Sequence, residues 1–126
     1  VVIVIMSGNF EDLCTIGKSI ADVLKTIRPG ALVVASSDMT HYESQQSVNK
    51  KDKSAIAEIV ALREEGLHRV VQELDVTMCG VSPAISMLVC SKQRAAKKAE
   101  LIRYETSGDV TGDYDHVVGY AGVIVE

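Results

Sequence analysis

The sequence predicts an α/β protein with a central, mostly parallel or mixed sheet, and three observations carry that expectation. Val1-Val2-Ile3-Val4-Ile5 and Ala31-Leu32-Val33-Val34 are unbroken apolar runs of strand length, as in strands buried on both faces. Between them, Leu13, Ile16, Ile20, Val23, Leu24 and Ile27 recur at helical spacing. A strand, a helix and a second strand in that order imply a parallel pair with a right-handed crossover. The second run then stops at Ala35 and gives way to Ser36-Ser37-Asp38-Met39-Thr40-His41-Tyr42-Glu43, a cluster of hydroxyls, carboxylates, an imidazole and a phenol. In open α/β sheets ligands enter beyond the carboxyl ends of the strands, so the chemistry is expected there.

The elements follow in order. Val1 to Met6 reads as a strand and Ser7-Gly8-Asn9 as the turn after it. That turn contains neither GxGxxG nor GK[ST], which favours a plain connection over a phosphate-binding loop. Glu11 and Asp12 stand where carboxylates favour a helix start, and Pro29-Gly30 is a stop signal. After the polar cluster, Val48, Ala55, Ile56, Ile59 and Val60 define one face of a long helix with a charged outer side. Gly66 is expected to break or kink it, leaving Leu67, Val70, Val71 and Leu74 on a short amphipathic helix. Ser82-Pro83 reads as an N-cap followed by proline at the first helical position, with Ala84 to Val89 as the helix. Glu100 to Thr106 and Val117 to Val125 are strand candidates, joined by a connection rich in Gly and Asp.

The 126 residues suit one domain, and 47% hydrophobic with 24% charged residues is the composition of a globular chain. A net charge of −4 argues against a general nucleic-acid binder, which needs a basic stripe to displace counterions. The apolar runs fall far short of the about 20 residues that span a bilayer. With no secretory pattern and three cysteines without paired spacing, a cytoplasmic location is expected. The chain enters directly in a strand-like run without an initiator methionine, so residues 1–126 are expected to be a portion of something larger.

Asp38 and His41 stand three apart. On a helical turn that spacing would put both on one side, where the carboxylate could hold the imidazole tautomer and the pair could do acid–base work. The alternative is that Asp38 is a cap and His41 an exposed loop residue. Cys79 precedes a helix start, where a thiolate is favoured for metal binding or nucleophilic attack; equally, free cysteines are often small buried hydrophobes. Cys14 and Cys90 fit only the latter description. His68 reads as a solvent-facing helix residue, His116 as a strand flank, and Tyr104 and Ser107 as weak pocket candidates.

Taken together, Ser36-Ser37-Asp38-Met39-Thr40-His41-Tyr42, Thr77-Met78-Cys79-Gly80-Val81-Ser82-Pro83, and Tyr104 to Asp113 followed by Val118-Gly119-Tyr120-Ala121 resemble one family. It is Memo, called AmmeMemoRadiSam system protein B in prokaryotes. The resemblance implies a three-layer α/β sandwich similar to class III extradiol dioxygenases, of which residues 1–126 would be the C-terminal half. It implies a non-haem pocket in which His41 and Asp38 act as catalytic residues and Cys79 takes the place of a carboxylate metal ligand. Iron is the expected metal, with copper or zinc as alternatives, since imidazole and thiolate suit all three. Two further ligand histidines would come from the N-terminal half, because neither His68 nor His116 stands in the right motif. The implied function is dioxygenase-like redox chemistry on a small molecule. The alternative is a non-enzymatic module that binds a peptide or protein in the same crevice. A radical-SAM enzyme is implied as a partner by the family name alone.

Overall fold

The computed structural model describes all residues, Val1–Glu126. Helix α1 (Phe10–Ile27) opens as expected. The Asn9 side chain accepts the Asp12 N–H at 2.9 Å, and Glu11 and Asp12 lie at the positive end of the helix dipole. The helix ends at Arg28, just ahead of Pro29-Gly30. Helix α2 (Gln45–Val60) is capped by Ser44 and buries Val48, Asp52, Ala55, Ile56 and Ile59. Its end is not set by Gly66. The chain turns at Leu62, whose φ of 54° is left-handed, and the Arg63 guanidinium closes the corner on the Glu58 carboxylate at 2.7 Å. Gly66 lies buried within α3 (Glu64–Glu73), where its missing side chain admits Glu58.

Helix α4 (Val81–Gln93) starts two residues earlier than Ser82-Pro83 suggests. Gly80 is the N-cap and makes no side-chain cap bond, Ser82 is buried in the first turn, and Pro83 is the third helical residue. Proline is tolerated there because the first four N–H groups of a helix have no intrahelical acceptor. The helices stack in series: α1 packs on α4, α4 on α3, and α3 on α2. At the first contact Ser86 donates its hydroxyl to the Leu13 carbonyl at 3.0 Å. Leu13, Ile56, Ile59, Leu67, Ile85 and Leu88 form the continuous core between these layers.

Helix α2 also supports a sheet of β1 (His41–Glu43), β2 (Ala99–Thr106) and β3 (Val117–Val125). A single turn of helix, α5 (Gly108–Thr111), lies in the connection between β2 and β3. The strand order is β1-β3-β2 and both pairings are antiparallel. The α/β content therefore matches the sequence reading, and the two C-terminal strands form where they are expected. The parallel pair does not form. Val1–Met6 and Ala31–Ala35 run outside every ladder, and much of their apolar surface is open, with Val2 at 89%, Leu32 at 86% and Val34 at 75% exposure. Along residues 31–36 half-buried and exposed positions alternate strictly, as on a strand that has one face covered and the other bare. A ladder needs a neighbouring edge as well as an apolar sequence. β2 and β3 pair along their length, whereas Val1–Met6 and Ala31–Ala35 make no ladder bond with each other or with the sheet. No helix is long and apolar enough to cross a membrane.

Candidate functional site

The polar stretch after Ala35 is held from three sides. On the sheet side, Met39 donates its N–H to the Gly119 carbonyl at 2.9 Å, and Gly119 donates to the Thr40 carbonyl at 3.0 Å. From below, Asp52 on α2 accepts the Thr40 N–H at 3.0 Å and the Tyr104 hydroxyl at 2.9 Å. Asp52 is fully buried with no cation beside it, so these two donors offset part of its lost hydration. Burial, and then the Asp52 carboxylate, push the Tyr104 phenol far above its ordinary range. Tyr104 is half-buried and packs against the core. Ser107 is likewise structural, because its hydroxyl accepts the Val118 N–H at 3.1 Å.

From the third side comes the segment between α3 and α4. His41 donates its main-chain N–H to the Thr77 hydroxyl at 2.7 Å, and its Nδ1 lies 2.8 Å from the Thr77 carbonyl. A carbonyl can only accept, so Nδ1 carries the ring proton and Nε2 of the neutral imidazole keeps its lone pair. Nε2 lies 3.7 Å from Oδ2 of Asp38. The two side chains do meet, though not on a helical turn. His41 begins β1, and the register with β3 shifts between His41 and Glu43, with Tyr42 between them at a left-handed φ of 58°. Such bulges re-aim side chains beside functional sites. Tyr42 is 74% exposed, with its ring centroid 5.8 Å from that of His41. The tautomer-holding role expected of Asp38 falls to Thr77, and Asp38 stands beside the free nitrogen instead.

Cys79 lies directly ahead of α4, as expected, and is exposed. Its Sγ accepts the Asp38 N–H at 3.2 Å and lies 3.8 Å from the Ser37 hydroxyl. Ser37 ties the two loops together, donating to the Asp38 carbonyl at 2.6 Å and accepting the Gly80 N–H at 2.8 Å. Glycine is required at position 80, because a Cβ there would lie 2.5 Å from the Ser36 carbonyl oxygen. The cysteine thus touches the Asp38 main chain rather than its carboxylate. No three His, Cys, Asp or Glu side chains come together as a metal-ligand set. His68 stacks on Phe10 at 5.2 Å, and His116 is exposed ahead of β3. Cys90 is buried and Cys14 half-buried, and burial pushes both thiols up. Sequence reading missed Thr77, Ser37 and Gly80 as site-building residues. The available signals were a hydroxyl two residues before Cys79, a second inside the polar cluster, and a glycine directly after the cysteine.

The fold and this loop constellation define an α/β protein that brings an Asp–His pair and an exposed cysteine to one junction between loops. Residues 1–124 match the Memo-like protein family, and the chain belongs to it. It is 44% identical over 124 residues to a MEMO1 family protein of Methanocaldococcus jannaschii, covering 98% of this chain and 43% of that protein. A MEMO1 family protein of Methanopyrus kandleri is 43% identical over 109 residues, covering 86% of this chain and 38% of the relative. One from Methanosarcina mazei is 36% identical over 116 residues, covering 92% and 43%. The chain spans less than half the length of these relatives.

Proposed function

We propose that residues 1–126 are the C-terminal portion of a Memo-like domain, a three-layer sandwich similar to class III extradiol dioxygenases. In this reading its crevice binds a transition metal and acts on a small molecule. One observation carries the proposal: the Thr77 carbonyl accepts from Nδ1 of His41, which turns Nε2 toward the Asp38 carboxylate at 3.7 Å. That arrangement suits proton transfer at Nε2, with Asp38 stabilising the imidazolium that results.

The donor chemistry fits iron, copper or zinc in kind through the exposed Cys79 thiol, with the His41 imidazole kept for the proton. It does not fit in number, because these side chains do not form a set of three. The remaining donors would come from the part of the relatives' length that this chain does not span. When bound, such a metal would supply Lewis-acid and redox chemistry. Cys79 would contribute thiolate sulfur, while Asp38 and His41 would handle the proton. The bare apolar face of Val1–Met6 and Ala31–Ala35 supports the same reading, since it has the character of a sheet face awaiting another layer.

The test is anaerobic titration of the full-length protein with Fe(II), Cu(I) and Zn(II), followed by metal analysis. Uptake of one equivalent, lost in Cys79→Ala, is the expected result. Uptake of none ends the metal reading. A second reading, a non-enzymatic peptide-binding module, draws on the mostly apolar cleft of about 650 Å³ that runs between the two bare segments and reaches Cys79 and Gly80. It gains if Cys79→Ala retains partner binding in a protein that takes up no metal.

A further inference from the structure

We propose that Lys51, a residue of α2 outside the loop constellation, is the positioning residue that holds the His41 imidazole in its Nδ1–H tautomer. Its ammonium spans the two segments whose separation sets the ring. On one side it donates to Oε1 of Glu43 at 2.7 Å, two residues after His41. On the other it donates to the Asp75 carbonyl at 2.9 Å, two residues before Thr77. His41 meets Thr77 through two contacts, its N–H to the hydroxyl at 2.7 Å and Nδ1 to the carbonyl at 2.8 Å. Lys51 therefore closes a loop of contacts that runs from His41 through Glu43, Lys51 and Asp75 to Thr77 and back.

The clamp differs from ordinary surface ion pairs. Lys51 and Glu43 side chains are only 19% and 28% exposed, so water screens them less than it does exposed pairs. Glu43 also accepts the Ser47 hydroxyl, which fixes the carboxylate that Lys51 grips. On the far side Asp75 has a left-handed φ of 51°, and the next residue, Val76, donates to the Val71 carbonyl at 2.9 Å. That turn aims the Asp75 carbonyl at Lys51 and sends Thr77 toward His41. Without the ammonium, nothing else bonds Glu43 to the segment that carries Thr77.

The proposal rests on the reading of His41 as the proton-handling residue of the site, and its test needs neither metal nor substrate. The ring nitrogens of His41 are read by 15N NMR in the full-length protein at about pH 8.5, where an ordinary imidazole is neutral. His41→Gln assigns the signals. Wild type should show the Nδ1–H tautomer. Lys51→Met should lower the ratio of Nδ1–H to Nε2–H roughly fivefold, the worth of one weakened hydrogen bond. Glu43→Gln, which keeps the shape of its side chain and removes one charge of the pair, should move the ratio the same way by less. Lys92→Met breaks a comparable ion pair with Glu64, between α4 and α3, and should leave the ratio unchanged. An unchanged ratio in Lys51→Met and Glu43→Gln, or an equal fall in Lys92→Met, overturns the proposal. Failure of metal uptake leaves this result standing, and a failed tautomer test leaves the metal titration standing.

Discussion

The strand Val117–Val125 and the run Val1–Met6 have nearly the same chemistry and opposite fates. The first is the centre of the sheet, paired with β1 on one side and along its length with β2 on the other. The second is at least as apolar, yet it joins no ladder and leaves Val2 89% exposed. The difference is not propensity, because β-branched residues dominate both. It is the presence of a complementary edge. β3 has β2 just across a short connection, and the Met39–His41 stretch reaches its other side. A strand-like sequence is thus a request for a partner, and only the rest of the fold answers it.

This contrast can be broken or sharpened by substitution. The largest effect is expected in the satisfied part of the molecule. Ile85 is fully buried in the core, and Ile85→Ala should cost about 2–5 kcal/mol in urea unfolding, with the slope unchanged. Next comes Tyr104→Phe beneath the sheet. It leaves one oxygen of the buried Asp52 carboxylate without its donor and should cost about 1–3 kcal/mol. On the bare run, Leu32→Ser should change the stability of the 126-residue chain by less than about 0.5 kcal/mol, because the side chain is 86% exposed. If the proposed further layer covers that face in a protein of the relatives' length, the same substitution should cost about 2 kcal/mol there. Equal small effects in both would mean that the face stays bare, and the contrast would then hold for the whole protein.

A further small effect is expected as acid sensitivity at β1. Lys51, then the Ser47 hydroxyl, holds the Glu43 carboxyl below its ordinary range. The ionised form is therefore favoured by folding. Its contribution is complete above the unfolded-state value of about 4.3 and is lost as pH falls through the lower folded-state value. Glu43→Gln should reduce the drop in melting temperature between neutral and acid pH, by a contribution under about 1 kcal/mol.

Local chemistry was legible wherever a residue acts on its near neighbours. The α1 start near Glu11 and Asp12, the amphipathic faces of α2 and α3, and the two C-terminal strands could all be read from the sequence, whereas Asn9 emerged as the cap only in the structure. Asp38, His41 and Cys79 stood out because a polar cluster ending an apolar run, and a cysteine ahead of a helix, are unusual in sequence. What could not be read depended on contacts between segments distant in the chain. Nothing near His41 reveals that a carbonyl 36 residues away, on Thr77, chooses its tautomer. Nothing near Gly66 shows that Leu62 turns the chain first.

By itself, then, the sequence determined where the four long helices and the two C-terminal strands lie and which of their faces are apolar. Those properties follow from backbone preference and from the period of the side chains. Only the tertiary structure decided that the sheet is antiparallel, that two apolar runs remain unpaired, and that Thr77 rather than Asp38 orients the His41 ring. Each of these is a hydrogen-bond assignment between distant segments, and such bonds are directional and short. Whether they form depends on where the core places the two backbones, which no local pattern encodes.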